Sequence, residues 1–258
     1  MKPILVIEEC TVLELRSIDA FYDDPSNLAL RDVSFELGDQ SIAAIVGPNG
    51  AGKSTVLKAI AGKIHILCGE ISFEGRLITT VPPHRICHEG IGYVPEGQRV
   101  WLNLTVDENL RMGAFSRADR RSVHQDLLDV YDNMPRLQSL RDRKCHTLSG
   151  GERQMVAVGR ALMGKPRCLL IDEPSLGLSP GMVDEVFALL TSVIRAKDIS
   201  ALIVEQNCLK AMQVADRVMV MNQGRLALDK PASEVEWERD IAPIFFEDTA
   251  DLGLRNLE

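Results

Sequence analysis

Aromatic side chains are scarce, at 5% of 258 residues, and no apolar run is longer than a β-strand. Runs such as Ile42–Val46 and Cys168–Ile171 fall far short of the roughly 18 apolar residues that cross a bilayer. The opening MKPILVIEECTV has no apolar stretch long enough for a signal peptide, and acids interrupt it early. These absences predict a cytosolic chain. No CxxC pair occurs among Cys10, Cys68, Cys87, Cys145, Cys168 and Cys208, so reduced and mostly buried thiols are expected. His84 and His88, with Cys87 between them, have helical metal-ligand spacing, but surface or lining residues are the simpler reading. A basic stripe is missing too. Net charge is −8, and residues 231–258 alone carry −6. Nucleic acid is therefore not an expected partner, and anionic lipid would repel the tail. Any membrane association has to run through a protein.

What is present suits a layered α/β fold. Apolar residues make up 45% of the chain, rich in Leu, Ile, Val and Ala, enough for one large domain or a domain with a subdomain. Thr11–Ile18, Val33–Leu37 and Glu70–Phe73 alternate like half-buried strands and predict a small antiparallel layer. Ser41–Val46, Cys168–Ile171 and Ala201–Val204 are continuous apolar runs separated by helical patterns, as in a parallel sheet buried on both faces. Arg217–Met221 and Arg225–Leu228, joined by Asn-Gln-Gly, read as a terminal hairpin. Between about 97 and 165 the chain is strand-poor, with helical periodicity over Asp107–Met112, Ser122–Asp132 and Ser149–Met163. This predicts a helical subdomain inserted into a core of about 11–96 and 166–230. After Pro231 a short helix is expected, opened by a Ser233/Glu236 capping box, and then a loosely held acidic tail.

Three segments carry chemistry. The strand Ser41–Val46 runs into Gly47, Pro48, Asn49, Gly50, Ala51, Gly52, Lys53, Ser54 and Thr55, the GxxxxGK[ST] pattern. Its glycines let consecutive N–H groups face a phosphate, backed by a helix N-terminus. Lys53 supplies a point charge for β- and γ-phosphates, and the Ser54 hydroxyl suits Mg²⁺. Chance produces this pattern in roughly one chain per hundred of this length. In the second segment a buried strand ends in Asp172 and Glu173, two carboxylates that are expensive there without a cation or a task. Asp172 is placed to hold Mg²⁺ through its water, and Glu173 to polarise a water attacking the γ-phosphate. In the third, Leu148-Ser-Gly-Gly-Glu-Arg-Gln154 opens a helix. Ser149 and Glu152 form a capping box, while Gly150 and Gly151 leave bare backbone that a phosphate can approach. A chain that already binds its own phosphates at Lys53 would present this second site to a neighbouring subunit's nucleotide.

In order and spacing these segments resemble an ABC-type nucleotide-binding domain over residues 11–230. The resemblance implies a P-loop NTPase core and ATP hydrolysis with ATP and Mg²⁺. It also implies a second ATP-binding subunit, identical or related, membrane-spanning permease subunits, and indirectly a periplasmic or extracellular solute-binding protein. It places the chain in the cytoplasm, peripheral on the inner face of the cell membrane. By the same likeness Tyr22 stacks on adenine, and Ser175–Pro180 touches the opposite subunit, with Ser179 where the family usually has Asp. Glu96 stands where most members have a Mg²⁺-sensing glutamine, and Gln206 where most have a histidine facing the γ-phosphate. These two, with Leu104–Leu110 and Glu173–Leu178, are similar to the smaller ATPase subunit of branched-chain amino-acid uptake systems. The membrane partner is expected in the groove around Glu96–Trp101, with Trp101 either an exposed apolar anchor or a core aromatic. Two other classes stay open: a soluble ABC ATPase of translation or DNA repair, and a non-enzymatic ATP-binding regulator. The single domain with no basic surface argues against the first. Lys53, Ser54, Asp172 and Glu173 together argue against the second.

Overall fold

The computed structural model describes residues 11–246. Strands β1 (Thr11–Phe21), β2 (Leu30–Gly38), β3 (Ile42–Val46) and helix α1 (Lys53–Ile60) open the fold, followed by β4 (His65–Phe73) and β5 (Arg76–Leu77). The short α2 (Pro83–Ile86) and β6 (Ile91–Val94) lead into four helices: α3 (Val106–Gly113), α4 (Val123–Asn133), α5 (Pro135–Ser139) and α6 (Gly150–Leu162). Then β7 (Cys168–Asp172), α7 (Pro180–Ala196), β8 (Ser200–Glu205), α8 (Cys208–Val214), β9 (Arg217–Asn222) and β10 (Arg225–Pro231) complete the main elements.

Two sheets result. One is antiparallel, in the order β2-β1-β4-β5; the other runs β10-β9-β3-β8-β7-β6, with parallel pairing except at the terminal β9–β10 hairpin. The continuous apolar runs are explained by burial on both faces. Leu170 of β7 packs towards the antiparallel layer with Leu13, Leu15, Leu57 and Leu202. Its neighbours Leu169 and Ile171 pack the opposite way, with Leu110, Val156 and Val193 of the helices. The helical region is anchored by two complete capping boxes, Ser149/Glu152 on α6 and Thr105/Glu108 on α3. Each satisfies two backbone donors that a helix start would otherwise leave unpaired.

The expected antiparallel strands are longer than their alternation indicates. The register of β1 shifts between Leu15 and Ile18 and again before Ala20, with Ser17 at φ 47°. Opposite this bulge lies Gly69, where a Cβ would sit 2.4 Å from the Arg16 and Ser17 carbonyl oxygens. A bulge breaks the period of two without ending the strand.

The segment after Pro231 differs more. Ala232–Glu234 form a single 3₁₀ turn and Trp237–Ile241 a π-helical turn, with no side-chain cap on either. The Ser233/Glu236 box does not form, because the Glu236 N–H is taken by the Asp240 carboxylate at 2.9 Å. Nor is the segment loosely held up to residue 246. Val235 and Ile241 are buried, with Trp237, Ile244 and Phe245 packed on Ala44, Val46, Cys208, Ala211, Val218 and Val220. Glu234, Glu236 and Glu238 are exposed, while the Asp240 side chain is tucked in and paired to Lys230 at 2.9 Å. Residues 247–258 lie outside the described part of the chain. Ile241, at 0% exposure, gives a direct check. Ile241→Ala is expected to destabilise by ~2–5 kcal/mol, read as a lower thermal midpoint; an unchanged midpoint would show that this segment does not contribute to the core.

Candidate nucleotide site

β3 ends at Val46 and the chain curls through Gly47–Gly52 into α1. Two glycines make this path possible. At Gly47 a Cβ would lie 2.3 Å from the Met221 carbonyl oxygen, and Gly52 caps α1 at φ 100°. Lys53, first in α1, is 4% exposed and its ammonium donates to the Gly47 and Pro48 carbonyls at 2.9 and 3.0 Å. Burial lowers its pKa below the usual lysine range, and nearby Glu173 is the largest influence opposing that shift.

At the end of β7, Asp172 is buried and accepts from Ser54 Oγ at 2.7 Å and from the Tyr93 hydroxyl at 3.2 Å. Burial first, and Asp172 second, raise the Tyr93 pKa, so its hydroxyl stays a donor. Glu173 follows at φ 44°, a left-handed conformation that a side chain adopts only when its surroundings hold it there, here with its N–H on the Val204 carbonyl at 2.9 Å. Burial raises the Glu173 carboxyl above the ordinary range; Lys53 opposes this, and Glu96, Glu205 and Asp172 add to it.

These groups surround a cavity of about 570 Å³. Tyr22, Asn49, Gly50, Gly52, Lys53, Ser54, Thr55 and Glu173 line it, with Asp172 behind Ser54. Tyr22 stands at its side, the hydroxyl 3.0 Å from Thr55 Oγ1 and 3.3 Å from Lys58 Nζ. Gly47, Pro48 and Ala51 shape the loop from behind, the first two through the carbonyls that hold Lys53. The residue set fits a nucleoside triphosphate with a divalent cation: a buried ammonium whose partners are carbonyls, and a hydroxyl already facing a buried carboxylate.

Other expected residues lie elsewhere. Glu96 and Gln206 are exposed, on the loops after β6 and β8, and do not line the cavity. Ser149, Gly150 and Gly151 lie on the helical side, where a Cβ at Gly150 would be 3.3 Å from Gln98 and Leu178, and one at Gly151 only 2.0 Å from Met182. Leu28, Ala29, Arg31 and Lys58 also line the cavity and carried no sequence signal of their own, and Gln223, Gly224 and Arg225 line it from the β9–β10 turn. The β9–β10 turn was legible as a hairpin, but not its docking on the loop, where Gly224 N–H donates to Ala51 at 2.9 Å.

A parallel sheet whose strand–loop–helix turn encloses Lys53, with paired carboxylates at the end of β7, two strands along from β3, defines a P-loop nucleotide-binding protein. The family model described as "ABC transporter" matches residues 30–176, and the chain belongs to that family. It is 41% identical over 200 residues to the high-affinity branched-chain amino acid transport ATP-binding protein BraG of Pseudomonas aeruginosa, covering 78% of this chain and 85% of that one. To a probable branched-chain amino acid transport ATP-binding protein, LivF of Archaeoglobus fulgidus, it is 38% identical, covering 80% and 87%. Among solved structures, an ATP-binding cassette of an ABC transporter in its ADP conformation superposes with a TM-score of 0.81 at 27% identity, covering 91% of this chain and 96% of that one. Members of this family hydrolyse ATP to power transport, and the chain is an ATPase of that kind.

Proposed function

We propose that the chain drives an importer for branched-chain or related hydrophobic amino acids. It would work from the cytoplasmic face of the membrane, bound there through membrane-spanning permease subunits and paired with a second ATP-binding subunit. A solute-binding protein on the far side would deliver the substrate. The observation that carries the nucleotide chemistry is the convergence of Lys53, the Ser54–Asp172 pair and Glu173 on one cavity. The substrate class is supported by the 41% identity to BraG.

In this reading the chain works as a core, about 11–96 and 166–230, with residues 97–165 as the helical insert. Lys53 and the loop N–H groups hold the β- and γ-phosphates, and Tyr22 stacks on the base. Ser54, Asp172 and Glu96 are the residues that would hold Mg²⁺, which when bound would supply positive charge against that developing on the phosphoryl group. Glu173, its carboxyl held above the ordinary range by burial, would orient and polarise the attacking water. Ser149–Gly151 serve the nucleotide of the partner subunit.

Permease contact is supported by a groove of about 350 Å³ between core and helical insert, lined by Tyr93, Cys87, Trp101, Met112 and Arg160. Trp101 is 46% exposed, with the Arg160 guanidinium 4.6 Å over its ring, and would serve there as the apolar anchor. Co-purification with untagged membrane-spanning subunits tests the assembly; their absence from the purified chain under conditions that preserve the transporter would count against it.

The regulator reading survives on Gln206 and Glu96 alone. Gln206 carries no charge but still donates through its amide. Gln206→Ala is expected to lower ATP turnover in the reconstituted transporter by ten- to a hundredfold, ~1.5–3 kcal/mol, the worth of one hydrogen bond to a charged group. A silent wild type restored by Gln206→His would instead make the chain a regulatory ATP binder.

A further inference from the structure

Glu205 closes β8 immediately before Gln206 and is 1% exposed. A carboxylate removed from water so completely is costly unless donors compensate it. Three do, and they come from two different loops. Oε1 accepts the Ser175 N–H at 2.8 Å, while Oε2 accepts the Ser175 hydroxyl at 2.9 Å and the Asn207 N–H at 3.1 Å.

Ser175 lies two residues beyond Glu173, so one arm of this clamp holds the loop that carries the hydrolytic carboxylate. Asn207 follows Gln206 and caps α8, its side chain accepting from the Lys210 N–H at 3.2 Å. The Cys208 N–H donates to the Gln206 carbonyl at 3.0 Å and closes the turn from the other side. The second arm therefore fixes the turn that presents Gln206. The role calls for a carboxylate: both oxygens must accept, and an amide would offer one acceptor and one donor. Glu205 also acts through space, supporting the charge of Lys53 against burial and adding to the upward shift of Glu173.

We propose that Glu205 is a positioning residue, tying the loop that carries Glu173 to the turn that presents Gln206 so that both meet the γ-phosphate at one fixed spacing. The proposal rests on the assignment of Glu173 and Gln206 to hydrolysis. Nucleotide affinity depends on Lys53 and the loop around it and is expected to be left unchanged by the loss of this clamp.

The test is steady-state ATP hydrolysis by the chain assembled with its membrane subunits, comparing Glu205→Gln, Ser175→Ala, the double variant and Glu173→Gln. Glu205→Gln is expected to lower kcat about tenfold or more, as for a lost bond to a charged group, with KM for ATP unchanged within about twofold. Ser175→Ala keeps the backbone arm and should lower kcat about two- to tenfold. The double variant should be no slower than Glu205→Gln, because both remove parts of one clamp. A purely structural role would move KM and thermal midpoint together with kcat, and the two effects would multiply; that result overturns the proposal. So does wild-type kcat in Glu205→Gln, or in Ser175→Ala should the first variant not fold. An inactive Glu173→Gln beside a fully active Glu205→Gln removes the positioning role alone, whereas an active Glu173→Gln removes the hydrolytic assignment beneath it.

Discussion

Lys53→Ala is expected to abolish measurable ATP hydrolysis and to weaken nucleotide binding. Lys53 is the only fixed positive charge within Gly47–Thr55. Its ammonium is positioned in advance by the Gly47 and Pro48 carbonyls, so little reorganisation is needed when phosphate oxygens compete for it. Desolvation strengthens that contact: at 4% exposure the charge is poorly screened by water. Losing one such preorganised electrostatic contact typically lowers turnover by about 10²–10³. The measurement is phosphate release by the assembled transporter, alongside binding of a fluorescent ATP analogue and a thermal melt. The melt matters because alanine also leaves two carbonyls without their buried donor. A folded variant with unchanged turnover would remove the P-loop assignment.

Glu173→Gln should be as severe for hydrolysis but spare binding. The amide keeps the size of the side chain and the unusual backbone at φ 44°, yet cannot accept a proton from water. Loss of a positioned general base is worth about 10²–10⁴ in rate. A pH profile adds a second signature. Burial raises the Glu173 pKa, so the carboxyl protonates at higher pH than an exposed glutamate would. Wild-type turnover should therefore fall, as pH is lowered, before the ordinary glutamate range of about 4.3 is reached, and the residual rate of Glu173→Gln should lack that limb. Trapped ATP should also reveal pairing. On the proposed role of Ser149–Gly151 towards a neighbour's nucleotide, the isolated wild-type chain should be a poor ATPase, and Glu173→Gln should dimerise when ATP is added. A strictly monomeric, dilute preparation with full turnover would contradict the proposed pairing with a second ATP-binding subunit.

The parts of the fold with strict periodicity were the most legible. β3, β7 and β8 stood out because burial on both faces leaves an unbroken apolar run in each, Ile42–Val46, Cys168–Ile171 and Ala201–Val204, and α6 because its cap and its glycines coincide. β6 escaped notice: Ile91-Gly-Tyr-Val is short, and its Tyr93 points a hydroxyl at Asp172, which reads as polarity rather than burial. The segment after Pro231 was obscured by composition, since its acids are conspicuous and its apolar packing on β3, α8 and β9 is long-range. The cavity divides in the same way. Its phosphate end is one contiguous motif with a physical reason at each residue. Its other wall is assembled from Arg31, Lys58 and the β9–β10 turn, which only tertiary packing brings together. Glu205 carries no sequence signal of its own, and its contacts become visible only with Ser175 and Asn207 beside it.

The most direct test of an ATP-driven importer is uptake of labelled leucine into proteoliposomes containing the chain, its membrane subunits and its solute-binding protein. Accumulation against a gradient is predicted with ATP supplied on the side of this chain, none with ADP, and none with Lys53→Ala. Equal uptake with and without the chain, or uptake indifferent to ATP, would contradict the assignment.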